Sequence, residues 1–219
     1  MSKLVWDKTG ERIYETGVRN GVLYPQVDGA YPKGVAWNGL IAVTESPSGA
    51  EASPFYADDF KYFNLMSAED FGGTIEAYTY PDEYKPCIGE VELVAGINIG
   101  QQTRQTFGFC YRTVIGNDTE NDSHGYKLHL IYGALASVSE KAYTSINDSP
   151  EPIAFSWEFT TTPVEVDGYK PTEILTIDST KVGKENLEAL EAVLYGSDNA
   201  EPRMPTPDEI VDLIGENAG

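Results

Sequence analysis

Three stretches of the chain alternate apolar and polar side chains with a period of two. Phe107, Phe109, Tyr111 and Thr113 alternate with Gly108, Cys110, Arg112 and Val114. Tyr126, Leu128, Leu130 and Tyr132 alternate with Lys127, His129 and Ile131, and Ile153, Phe155, Trp157 and Phe159 with Ala154, Ser156, Glu158 and Thr160. Successive side chains of an extended chain point to opposite faces, so each stretch predicts a strand with one face on a core and a more polar face opposite. Further strands are predicted near residues 35–44, 60–66, 74–80 and 174–177. About seven strands separated by turn signals imply a mainly β protein, an antiparallel sandwich or barrel.

Near the C-terminus the period changes. Leu187, Leu190 and Leu194 fall at helical spacing, and Gly196 stands where a helix end favours a left-handed residue. Thr206-Pro207-Asp208-Glu209 reads as a helix start: a capping threonine, a proline at the first helical position and a glutamate three residues after the cap. Ile210, Val211, Leu213 and Ile214 follow, with Gly215 as the stop. So short a helix is marginal alone and must dock its apolar face on its own domain or on a neighbour. Residues 44–54 (TESPSGAEASP) carry no large apolar side chain and predict an exposed loop or hairpin tip. Residues 116–125 (GNDTENDSHG) predict a solvated turn.

At 219 residues with 41% apolar side chains the chain supports an ordinary core. Its aromatic, glycine and proline content favours strands and turns over a helical bundle. No apolar run reaches the roughly 20 residues of a membrane helix, and the N-terminal segment lacks the apolar centre of an export signal. The two cysteines, Cys87 and Cys110, are therefore expected as reduced thiols in a protein made in a cytoplasm. A net charge of −20 argues against binding nucleic acid, which relies on cationic side chains, and suits either plain solubility or a wall that repels a passing polyanion. The first 20 residues carry a net +1 and residues 184–219 a net −7, an asymmetry that head-to-tail contacts would use.

Catalytic and metal patterns fail on inspection. Asp118, Glu120 and Asp122 start a calcium loop, but Ser123 and His129 stand where glycine and a bidentate glutamate are needed. His124 and His129 are the only histidines and have no paired-ligand spacing with the cysteines, which excludes a zinc motif. No nucleophile elbow, phosphate loop or dinucleotide fingerprint occurs, and Cys110 lies within an apolar strand. Asp58 and Asp59, adjacent to one another, are expected on opposite faces at a strand start rather than as a catalytic pair. Trp157 shares a face with Ile153, Phe155 and Phe159, a core pattern, although exposed Trp and Tyr on a carbohydrate-binding sandwich is the alternative. No catalytic residue, metal or cofactor is expected.

The chain resembles the major tail protein (tail tube protein) family of long-tailed bacteriophages and prophages. The likeness lies in residues 35–80, 100–118 (GQQTRQTFGFCYRTVIGND), 126–141 (YKLHLIYGALASVSEK), 147–166 and 175–182, in order along most of the chain. The resemblance implies a β-sandwich or barrel-like tube fold with short flanking helices, its inner sheet joining a ring-wide β-barrel. It implies a structural subunit, not an enzyme, that polymerises as stacked hexameric rings forming the channel for DNA ejection. The implied partners are further copies of itself, the tail tip or initiator complex, the tape measure and the tail terminator proteins. DNA would pass through the lumen without specific binding, and the protein would reside in the virion tail after assembly in the host bacterial cytoplasm. An inner tube subunit of a contractile injection machine is the alternative within the same fold.

On this basis residues 1–25 are expected as an N-terminal arm, 26–182 as the tube domain with a long loop at 44–54, and 183–219 as C-terminal helices and tail. Glu76 and Glu158, on the polar faces of predicted strands, are the candidate lumen-facing residues. Glu45, Ser46, Pro47, Ser48, Gly49 and Glu51 of the loop, with Trp6 and Arg12 of the arm, are the candidate inter-ring contacts.

Overall fold

The computed structural model describes residues 3–146 and 148–215; residues 1–2 of the expected arm and 216–219 of the expected tail lie outside it. Along the chain come β1 (Ile13–Pro25), β2 (Val35–Trp37), β3 (Leu40–Glu45), β4 (Ser48–Gly49), β5 (Ala52–Ala57), β6 (Phe60–Met66), β7 (Glu69–Asp70) and β8 (Gly72–Ala77). After two single-turn helices, Asp82–Tyr84 and Pro86–Ile88, follow β9 (Val91–Val94), β10 (Ile97–Ile99), β11 (Phe107–Asn117), β12 (Asn121–Ala136), β13 (Phe155–Thr160) and β14 (Ile174–Asp178). Two α-helices close the described chain, α1 (Lys184–Tyr195) and α2 (Pro207–Gly215). The protein is mainly antiparallel β, with a large sheet and few short helices, as the patterning predicts.

The large sheet runs in the order β2-β1-β11-β12-β13-β8-β3, with β14 also paired to β12. β12 divides it in two. Its residues 127–131 pair with β14, while Leu135 and Ala136 pair with β13. The change of partner falls beside Gly133, whose φ of +59° and whose approach to Thr162, 2.2 Å from an ideal Cβ to the carbonyl oxygen, leave no room for a side chain. One half-sheet (β2, β1, β11, β12, β14) thus packs across the other (β13, β8, β3). Leu23, Phe109, Tyr111 and Ile131 meet Ile75, Ala77, Trp157 and Phe159 in a single core. Trp37 sits at its centre, with ring centroids 4.5 Å from Tyr84, 5.5 Å from Phe109 and 5.6 Å from Trp157. These tilted and edge-on contacts are the favoured aromatic geometries and fix the distance between the sheets.

The opposite face of the first half-sheet is also covered. Val22, Tyr24, Cys110, Leu128, Leu130, Tyr132 and Ile177 pack under Leu187, Leu190 and Leu194 of α1 and Ile210 of α2. Both faces of the middle of β11 and β12 are therefore buried, where alternation alone predicts one polar face. The physical reason is visible in the side chains: Cys110, Leu128 and Leu130 are apolar, and the helices need a surface to cover. The Tyr24 hydroxyl donates to the Leu194 carbonyl at 2.7 Å, and Asn186 Nδ2 to the Ile214 carbonyl at 2.7 Å, satisfying two helix-end acceptors. At the start of α2 the Glu209 N–H donates to Thr206 Oγ1 at 3.3 Å and the Thr206 N–H donates to Glu209 Oε2 at 3.0 Å. This is the reciprocal cap the sequence signals.

Three expectations change in the structure. Residues 13–25, assigned from sequence to an arm, form β1 in register with β11 and β2, because Val22 and Leu23 supply one apolar side chain to each core. Residues 44–54 are not one loop: they end β3, form β4 and begin β5. Finally, β6, expected as a strand of the sandwich, pairs only with β5 and is exposed along its whole length.

Candidate functional site

Between β3 and β8 the chain leaves the sandwich and returns, making a projecting arm of residues 46–71. Its base is the β4–β7 pair, Ser48 opposite Asp70 and Gly49 opposite Glu69. Gly49 is required there: φ is +84°, and an ideal Cβ would lie 2.1 Å from the Ala68 carbonyl oxygen. Beyond the base β5 and β6 pair through a two-residue turn, Asp58-Asp59, both with positive φ (51° and 65°). That is the hairpin turn whose twist matches the strands, and aspartate tolerates the left-handed region better than most residues. The two aspartates therefore form the turn itself, not the extended strand start expected from sequence.

The arm is apolar on both faces. Phe55 and Phe63 stack at 5.2 Å on one, beside Leu65, while Phe60, Tyr62 and Met66 occupy the other parity of β6. Tyr56 is 70% exposed, and none of these side chains belongs to either core. An isolated two-stranded hairpin is marginal in water, and a contiguous exposed apolar surface of this kind marks an interaction site. A second exposed hairpin, β9–β10, presents Val91, Leu93, Val94 and Ile97.

The candidate lumen residues come together on one surface. Glu76 lies opposite Ser156 and Glu158 opposite Thr74 across β8 and β13, so both carboxylates point away from the core on neighbouring strands. Ala42 and Thr44 of β3 continue that face, which carries small or acidic side chains. Of the candidate contact residues, Ser46, Pro47, Ser48, Gly49 and Glu51 lie exposed at the base of the arm. Trp6 is 74% exposed in the N-terminal segment. Arg12 is instead tied within the chain, donating to the Asp7 carbonyl at 3.1 Å and lying 3.7 Å from Asp118 of the β11–β12 turn.

Glu45 is also drawn inward. Its Oε1 accepts from the Tyr111 hydroxyl at 2.5 Å and lies 3.5 Å from His129 Nδ1. A positive charge on the neighbouring imidazole first, and then the Tyr111 hydroxyl, holds the Glu45 carboxyl below the ordinary carboxylate range against the opposing effect of partial burial. Partial burial likewise raises Glu15, but Lys127 and Thr113 outweigh it and its carboxyl is held low.

Cys87 and Cys110 are free and buried, and burial pushes each thiol up to about 12, the condition of an inert thiol. Among the described residues no three histidine, cysteine or acidic side chains converge to hold a metal ion. No described helix is long and apolar enough to cross a membrane. The aromatic residues of β5 and β6 were missed as interaction residues in the sequence, although FKYFNLM carries large apolar side chains on both parities, a signal that no half-buried strand produces.

The fold and its surfaces define a mainly antiparallel β protein that presents an apolar arm and an acidic sheet face. No protein-family model matches the chain, and no curated protein matches it. Among solved structures it is similar to a chain of the sheath–tube complex of an extracellular contractile injection system, PVC, in the extended state. The two are 12% identical, the match covers 73% of this chain and 88% of that one, and the TM-score is 0.30.

Proposed function

We propose that this chain is a structural subunit of a tail tube, polymerising as stacked hexameric rings whose channel conducts DNA during ejection into a host. The observation that carries the reading is the arm: its aromatic side chains are uncovered in the single chain, and only a neighbour can cover them. Head-to-tail contacts around a closed rotation generate a ring, and further contacts along the axis stack rings into a tube. The likeness of the sequence to tail tube proteins supports the same reading. In it, Ser46, Pro47, Ser48, Gly49, Glu51 and Trp6 bridge rings, with Arg12 steadying the N-terminal segment, and the face bearing Glu76 and Glu158 lines the lumen. Six copies at −20 carry about −120 per ring, which coats a channel that must not bind DNA. The tail tip complex, tape measure and tail terminator are the further partners, and the virion tail is the location.

Negative-stain electron microscopy with light scattering over a range of concentrations tests the reading. Hollow tubes or six-membered rings, formed alone or on addition of tail tip complexes, are expected; a monomer under all these conditions refutes it. Replacing Glu76 and Glu158 together by lysine leaves assembly intact and slows DNA ejection, and normal ejection from such particles would overturn the lumen assignment.

A further inference from the structure

The core between the half-sheets changes character toward one end. Phe107, Phe109, Tyr111 and Thr113 on β11, with Ile131, His129 and Lys127 on β12, run from apolar to charged along the same inner face. The charged end is a network at the edge of the core, with His129 nearly buried and its charged partners half-exposed. His129 is 9% exposed and its ring stacks on Tyr111, 4.6 Å away and nearly parallel. Glu15 of β1 approaches from one side, Oε1 lying 3.6 Å from His129 Nε2, and is neutralised by Lys127 at 2.5 Å. Glu45, the last residue of β3 and the point from which the arm departs, approaches from the other. The titratable groups facing the imidazole are thus Glu15, Glu45, Tyr111 and Lys127.

The hydroxyl of Thr113 decides the tautomer. It has one proton, which it donates to Glu15 Oε1 at 2.5 Å, since a carboxylate only accepts. At 3.0 Å from His129 Nε2 its oxygen must then accept the Nε2 proton. A neutral imidazole therefore turns the bare lone pair of Nδ1 toward the Glu45 carboxylate, acceptor against acceptor. Nδ1 is buried and makes no hydrogen bond in this arrangement, its nearest partner being that carboxylate at 3.5 Å. A proton taken from solvent onto Nδ1 converts the repulsion into a charge-assisted hydrogen bond.

We propose that His129 is a pH-sensitive latch on the root of the arm. When Nδ1 is protonated, Glu45 is drawn onto the imidazolium and the end of β3 is clamped against β11 and β12. When the proton leaves, Glu45 keeps only the Tyr111 hydroxyl and the arm swings more freely on the sandwich. Imidazole side chains change charge between about pH 5 and about pH 8. The latch acts within one chain and does not depend on the tube reading.

A spin label on Ser48→Cys, at the exposed base of the arm, reports its mobility, because the two native cysteines are buried. In dilute monomeric protein, mobility is expected to rise from about pH 5.5 to about pH 8, with His129→Gln abolishing the response. Glu45→Ala should abolish it too, with the circular dichroism of the parent retained, which separates disconnection of the latch from misfolding. Mobility independent of pH in the parent, or an unchanged pH response in either variant with native circular dichroism, overturns the proposal.

Discussion

Serine in place of both Phe55 and Phe63 removes the stacked pair from the arm and separates assembly from folding. The two rings are 47% and 48% exposed in the single chain. With about 200 Å² per phenylalanine side chain, each offers about 100 Å² to a neighbour. At ~25 cal/mol per Å², covering one is worth about 2.5 kcal/mol, and covering both about 5 kcal/mol as an upper limit. Incomplete burial at half that value still weakens each contact between about 50- and 100-fold. Neither residue belongs to a core, so the sandwich itself should lose no more than about 0.5 kcal/mol. Sedimentation velocity over a concentration series and thermal melting measure the two quantities on the same sample. A variant that assembles at the parental concentration refutes the role given to the arm. A melting temperature lowered by many degrees would show that the arm packs into the fold.

Other perturbations test the remaining parts of the account. Trp157→Ala should cost about 3–5 kcal/mol, because its ring centroid lies 5.2 Å from Tyr80, 5.3 Å from Tyr84 and 5.6 Å from Trp37 and from Phe155, and nothing can fill its space; denaturant unfolding measures it. Thr206→Ala removes one half of the α2 cap and should cost about 1 kcal/mol, read as faster amide exchange in residues 208–215 before the sandwich opens. The Glu45 carboxyl is held below its ordinary range, so its contribution to stability is present above the unfolded carboxylate range and is lost as pH falls through the depressed value. Glu45→Gln should therefore be less stable than the parent just above the ordinary carboxylate range and converge with it in stronger acid, as a series of urea melts would register.

Local rules account for what was legible in the sequence. The alternations at 107–114, 126–132 and 153–160 carry β11, β12 and β13, and the Thr206–Glu209 signature carries the start of α2, because pleat and helix capping depend on neighbours a few residues apart. Glu76 and Glu158 were legible as outward-facing for the same reason, since parity within a strand fixes the face. Their being neighbours required the register of β8 against β13, which joins residues about eighty positions apart and leaves no mark in either segment alone.

The sequence by itself determined a mainly β protein with two C-terminal helices, an acidic surface and no recognisable catalytic motif. Only the tertiary structure decided which apolar strands are core and which are not. β6 is as hydrophobic as β13, yet one lies in solvent and the other packs one face on the core, because β8 and not β6 takes the place beside β13. It also decided that Glu45 faces inward to His129 while its chain neighbours form the base of the arm. Periodicity reports the shape of a segment, whereas burial and electrostatic partners are set by which distant segments share a layer, and that choice belongs to the packing of the whole chain.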